Sequence, residues 1–136
     1  MTRSTAAVTA LAVAGIVTAA WAQQATFKRT VLQQADISVP GREAVTAMVD
    51  FQPGAASGRH SHPGEEIGYI VEGTFRFEQD GKPAAMLKTG DAFIVPAGTV
   101  HNATNTGSAN GRVLATYIVE KGKPLLTEVS AARSAK

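Results

Sequence analysis

Residues 54–73 read GAASGRHSHPGEEIGYIVEG, and residues 90–105 read GDAFIVPAGTVHNATN. In the first stretch His60 and His62 stand two positions apart. Successive side chains of a strand point to opposite faces, so positions i and i+2 share a face. Both imidazoles can therefore reach one point. Glu66 follows across Pro63-Gly64-Glu65, a short stretch able to redirect the chain so that a carboxylate meets the same point. His101 comes from the second stretch, after a turn at Pro96-Ala97-Gly98. Three imidazoles and one carboxylate suit Fe, Mn, Ni, Cu or Zn, and suit Mg or Ca poorly. Each residue alone says little: a histidine in a strand is more often a satisfied polar group than a ligand, and a lone Glu more often a surface charge. The glycines and prolines framing them change that weighing.

Around these stretches the chain reads as short strands separated by turns. Glu43 to Phe51 is apolar and β-prone and ends at Pro53-Gly54. Ile67 to Val71 ends at Glu72-Gly73. Thr74 to Glu78 alternates Phe75 and Phe77 with polar residues, and Asp80-Gly81 then offers a hairpin turn, because those types tolerate positive φ. Ala84 to Leu87 returns and stops at Thr89-Gly90-Asp91. Phe93 to Val95 closes at Pro96-Ala97-Gly98, where Pro presets the first turn corner. Val100 to Thr104 and Arg112 to Val119 are two further strands, joined by the small polar loop Thr106 to Gly111. Val31 to Ile37 fits a strand or one helical turn equally. This spacing predicts an all-β sandwich or barrel of the jelly-roll kind.

The spacing also resembles a known family. Gly54, five residues, His60, one residue, His62, three residues, Glu66, six residues and Gly73 match the first motif of the cupins. Gly90, five residues, Pro96, one residue, Gly98, two residues, His101, three residues and Asn105 match the second. The 16 residues between Gly73 and Gly90 are short for that family and resemble its small single-domain microbial members, of the quercetin-dioxygenase-like type. The resemblance implies a single cupin barrel (a double-stranded β-helix), with His60, His62, Glu66 and His101 holding one divalent transition metal inside it. It also implies one or two coordination positions left for water, substrate or oxygen. Gly54, Gly73 and Gly90 are expected at strand ends, where positive φ is useful, and Asn105 as a structural hydrogen-bonding residue.

Composition sets the outer limits. The 136 residues carry a formal net charge of +2 and no cysteine. Near-balanced charge argues against nucleic acid as a partner. The absence of cysteine excludes disulfides, thiolate metal sites and thiol chemistry. Residues 1–22 have the pattern of a secretory signal: Arg3 near the start, an uncharged run from Ala6 to Ala20, and small residues at Ala20 and Ala22. The run is short for a membrane span of about 20 residues. Cleavage after Ala22 would leave residues 23–136 as one cupin domain, periplasmic or secreted and free of the membrane, with residues 130–136 as a frayed tail.

Fold does not fix function, and the cupins include oxygenases, lyases, isomerases, decarboxylases and non-enzymatic binding proteins. Three readings follow: a metal-dependent oxygenase in which Glu66 serves as base for a phenol or enol proton, a lyase or isomerase using the same metal as Lewis acid, and a non-enzymatic module that binds a small molecule or carbohydrate in the barrel. Arg59 beside His60 reads as a solvated charge in preference to an anion-binding group. Glu65 and Tyr69 have the wrong strand parity to face the metal. Phe75, Phe77 and Phe93 read as core or pocket wall. A homodimer is expected, with Phe27 to Val39 as the pairing segment.

Overall fold

The computed structural model describes residues 25–130. The proposed signal segment and residues 131–136 of the expected tail lie outside them. Ten strands follow one another: β1 (Phe27–Asp36), β2 (Arg42–Phe51), β3 (His60–Ser61), β4 (Gly64–Glu72), β5 (Thr74–Gln79), β6 (Ala85–Lys88), β7 (Ala92–Val95), β8 (His101–Asn105), β9 (Gly111–Glu120) and β10 (Thr127–Glu128). They form two five-stranded antiparallel sheets, ordered β1-β2-β9-β4-β7 and β10-β3-β8-β5-β6. Among the described residues there is no helix. The expected jelly roll is what the chain builds.

The alternation seen in sequence explains the layering. In β2, Val45, Ala47, Val49 and Phe51 are buried, while their neighbours are partly exposed. In β9, Val113, Ala115, Tyr117 and Val119 do the same. The two strands pair in register over their whole length, from Arg42 with Glu120 to Phe51 with Gly111. Period-2 patterns on paired strands put both apolar sets on the same face of the sheet. The core lies in two groups. Val49, Phe51, Ile70, Phe75 and Val113 pack together, and Val45, Ala47, Ala115, Tyr117 and Val119 form the second. Phe75 is fully buried, with the Phe51 ring edge-on at a centroid distance of 5.1 Å. Burying such a side chain contributes about 1.5–3 kcal/mol.

Val31 to Ile37 resolves as strand. β1 pairs with β2 from Phe27 opposite Phe51 to Asp36 opposite Glu43, with a register shift between Val31 and Gln33. Pairing to an existing strand satisfies backbone groups that one isolated helical turn would leave open. β4 starts at Gly64, three residues earlier than its apolar run, because Gly64, Glu65 and Glu66 already pair with Val119, Ile118 and Tyr117. The Asp80-Gly81 hairpin forms as expected, joining Thr74 opposite Lys88 to Phe77 opposite Ala85.

Asn105 has the structural role assigned to it. Its Nδ2 lies within 2.9–3.2 Å of the carbonyls of Phe51, Gln52 and Ala109, and its Oδ1 accepts from the Gly107 amide. This buried amide ties the loop after β2 to the loop after β8. The glycines of both motifs, Gly54, Gly73, Gly90 and Gly98, all have positive φ, between +72 and +96°.

Candidate metal centre

Each ligand is placed by a different device. His60 sits opposite His101 where β3 pairs with β8. His62 follows β3 on the same side, as the two-residue spacing requires. Glu66 points inward from β4. All four residues are buried, and they offer ligand atoms that lie within 4.8 Å of one another. The sequence thus named the complete set that the fold brings together.

Gly64 makes the turn from His62 to Glu66 fit. A Cβ at this position would lie 1.8 Å from the carbonyl oxygen of Ile118 and 2.7 Å from Cα of Val119. Only a residue without a side chain lets β4 approach β9 this closely.

The hydrogen bonds assign the imidazole tautomers. Nδ1 of His60 lies 2.8 Å from the Gly58 carbonyl, Nδ1 of His62 lies 2.7 Å from that of Leu125, and Nδ1 of His101 lies 3.0 Å from that of Thr99. A carbonyl only accepts, so each Nδ1 carries a proton, and Nε2 is the nitrogen left to meet a proton or a metal. Two of these nitrogens face the same carboxylate oxygen. Oε2 of Glu66 lies 2.8 Å from His101 Nε2 and 3.1 Å from His62 Nε2. The His62 nitrogen is buried and has no hydrogen bond of acceptable geometry among the described residues. Lone pairs held this close repel unless a proton or a cation lies between them. Separations near 3 Å are those of adjacent donors on one ion bound at about 2.0–2.2 Å. Backbone carbonyls that fix the outer nitrogen are also the usual support of metal-bound histidines. The residues therefore fit a transition metal.

The electrostatics point the same way. Burial lowers the His60 imidazole from 6.5 to about 4, so it is neutral and ready to coordinate at neutral pH. Burial by itself would raise the Glu66 carboxyl, but hydrogen bonds from His101 and His62, where a proton lies on their Nε2 atoms, outweigh that and bring it from 4.5 to about 2. Both folded values lie below their unfolded ones. Their stabilisation is fully present above the unfolded pKa and is lost as pH falls through the folded value. For His60 that window runs from 6.5 to about 4, and for Glu66 from 4.5 to about 2. Bound metal acts with the same sign. Thermal unfolding of metal-loaded and chelated protein should therefore differ at pH 7 and converge toward pH 4. A constant gap across that range would mean that the metal is held elsewhere.

Beside these ligands runs a narrow apolar cavity. Its walls include Ile70, Phe75, Phe77 and Phe93, and His60, Glu66 and His101 open onto it. Its enclosed part measures about 30 Å³, room for roughly two water molecules. Phe77 and Phe93 lie with ring centroids 4.5 Å apart, as the reading of these rings as pocket wall expected. Glu65 and Tyr69 face away from the centre, consistent with their parity. Arg59 pairs with Asp80 at 2.9 Å on the surface.

Three participants escaped the sequence reading. Tyr117 of β9 stands opposite Glu66 and packs its ring 4.6 Å from that of His62. Burial, reinforced by the Glu66 charge, raises its phenol to about 12. Leu125 supplies the carbonyl for His62, held by the two-residue β10 that closes on β3. Arg29 of β1 reaches the cavity from the sheet edge. The apolar pair Leu125-Leu126, after Pro124, was the one available signal for the closing segment.

Known proteins resemble this chain in sequence and in fold. An oxalate-binding protein of Thermotoga maritima is 36% identical over 74 residues, covering 54% of this chain and 60% of its own. A germin-like protein, subfamily T member 2, of Arabidopsis thaliana is 32% identical over 74 residues, covering 51% of this chain and 34% of its own. The chain thus spans between one third and three fifths of the length of these relatives. Among solved structures, a double-stranded β-helix protein from Klebsiella pneumoniae superposes with a TM-score of 0.65 at 20% identity, over 78% of this chain and 86% of the other. The dimethylsulfoniopropionate (DMSP) lyase DddQ of Ruegeria pomeroyi gives 0.56 at 27% identity, over 63% and 43%. The family model described as the cupin domain matches residues 47–127, which include every ligand and both motifs, and the chain belongs to the cupin family.

Proposed function

We propose that this protein is an exported metalloprotein in which His60, His62, Glu66 and His101 hold one divalent transition metal for oxygenase chemistry on a small molecule. The observation that carries this reading is the pair of Nε2 atoms within 3.1 Å of one buried carboxylate oxygen beside an apolar cavity. When bound, the metal supplies Lewis acidity and, for a redox-active ion, a route for electrons. The residues supply the rest. The three imidazoles fix the ion's position, and their outer N–H groups are locked by backbone carbonyls. Glu66 is the carboxylate of the cavity wall and, once its bond to the metal loosens, is the group to take a phenol or enol proton from a substrate there. Tyr117 stays protonated at physiological pH and serves as a hydrogen-bond donor, not a base. The aromatic wall keeps bulk water away from the reacting groups.

The narrowness of the cavity favours a substrate of few atoms over a multi-ring flavonol. One relative is named for binding oxalate and one structural neighbour for lyase activity, which supports two other readings of the same centre: binding without turnover, and non-oxidative cleavage. The deciding experiment loads the protein with Fe, Mn, Ni or Zn and screens catechols, diketones and small acids with and without oxygen. Oxygen uptake tied to substrate loss is the expected result. Turnover under nitrogen would replace the oxygenase with the lyase reading, and binding alone would leave a receptor.

Export and pairing belong to the same proposal. β1 lies at a sheet edge, and much of its length is exposed, Val31 and Leu32 included. Such an edge can pair with a second copy. Protein recovered from the periplasm should run as a dimer and show tyrosine fluorescence alone, because the one tryptophan, Trp21, lies in the proposed signal. A monomer with indole emission would count against both points.

A further inference from the structure

We infer that Arg29 is the carboxylate-recognition residue of this site, and that its ligand is a small organic acid with a metal-binding oxygen at one end and a carboxylate at the other. The inference rests on the metal-centre reading above and adds the class of ligand.

Arg29 lies opposite Val49 in the β1–β2 ladder and, like Val49, faces inward. Among the described residues lining the cavity it is the sole Lys or Arg. Of the four other arginines among the described residues, three have acidic partners, Arg59 with Asp80, Arg76 with Glu78 and Arg112 with Asp50, and Arg42 donates to the Pro63 carbonyl. Arg29 has none within salt-bridge distance among the described residues. Its one hydrogen bond there is from Nε to the Tyr117 hydroxyl oxygen, at 3.3 Å. That contact leaves the Nη groups free.

The guanidinium is also pre-positioned. Its central carbon lies 5.9 Å from the centroid of the Phe27 ring and 5.7 Å from that of Tyr117. Aromatic faces attract a guanidinium and restrict its motion. Tyr117 in turn packs on His62. One chain of contacts therefore runs from a metal ligand to a half-buried, anion-free cation. A guanidinium fork binds a carboxylate through two parallel N–H···O bonds, and the apolar surroundings strengthen that pairing. Glu66, the acidic group nearest in the cavity wall, is committed to the metal ligands. The anion must then come with the ligand.

The test uses Co(II)-loaded protein, whose visible absorption reports a ligand reaching the metal. Oxalate, malonate and succinate are titrated against their monoamides, which keep the metal-binding end and lose the second charge. At least one diacid should bind the wild type tenfold or more tightly than its monoamide. Arg29→Gln should bring the two within about twofold, with cobalt content unchanged, and Arg29→Lys should fall between. No preference in the wild type would overturn the inference, as would a preference that survives Arg29→Gln or an equal loss for both ligands. Those failures leave the metal reading intact. A wild-type protein that takes up no cobalt would instead defeat the metal reading, and this inference with it.

Discussion

His101→Ala is expected to strip most of the metal from the protein and to lower its melting temperature by on the order of 10 °C at metal concentrations that saturate the wild type. His101 Nε2 is the nitrogen closest to Glu66, at 2.8 Å, and its ring packs 4.3 Å from that of His60. Removing it takes one of four donors and leaves the carboxylate without its shortest partner. A ligand that binds only the folded state stabilises it by about 2.7 kcal/mol at one hundred times its dissociation constant. For a domain of this size each kcal/mol is worth roughly 4–8 °C. Without metal the comparison changes. There the substitution loses the bond to the Thr99 carbonyl but also relieves the opposition between Nε2 and Oε2. The chelated variant should therefore melt within a few degrees of the chelated wild type. Elemental analysis and thermal unfolding, each with and without chelator, check both halves. Equal metal content in the wild type and in a His60→Ala/His101→Ala double variant would sink the assignment.

Gly64→Ala should be worse for the fold than loss of any single ligand. The added Cβ would meet the Ile118 carbonyl oxygen at 1.8 Å, and backbone atoms of a central strand have no rotamer with which to move away. β4 must shift against β9, at a cost above the ~1–3 kcal/mol usual for overpacking. Gly64 lies two residues from both His62 and Glu66, so the shift also moves two ligands. Folded yield, melting temperature and metal content should all fall. Gly54→Ala is the contrast: an added Cβ there meets nothing within 4 Å, and the strain comes only from a φ of +76°, about 1–2 kcal/mol. Similar stability of the two variants would show that the close approach at Gly64 is not a constraint.

The division between what was legible and what was not follows sequence separation. His60, His62 and Glu66 lie within seven residues, and strand parity alone brings the two rings to one side. His101 was recovered because its turn, Pro96-Ala97-Gly98, has a local signature. Tyr117 carries no such mark: as an apolar position of β9 it reads as core, and it becomes part of the centre only because β9 pairs with β4 and sets it opposite Glu66. Leu125 contributes a backbone carbonyl, which any residue type supplies. β10 has two residues, too few for a periodic pattern.

By itself the sequence determined the all-β class, the turns and the parity of each strand, because each depends on spacings of a few residues and on the intrinsic preferences of Gly, Pro and β-branched side chains; its resemblance to the cupins named the four residues of the buried His/Glu cluster. The tertiary structure decided which strands became neighbours. That settled the conformation of β1, the close approach that requires Gly64, the carbonyl that orients His62, and the arrival of Arg29 in the cavity. Apart from the β1–β2 ladder, those contacts join residues far apart in the chain, from 55 positions between Gly64 and Val119 to 88 between Arg29 and Tyr117. Local preference does not encode such pairings, and only burial of both sheets' apolar faces against each other selects them.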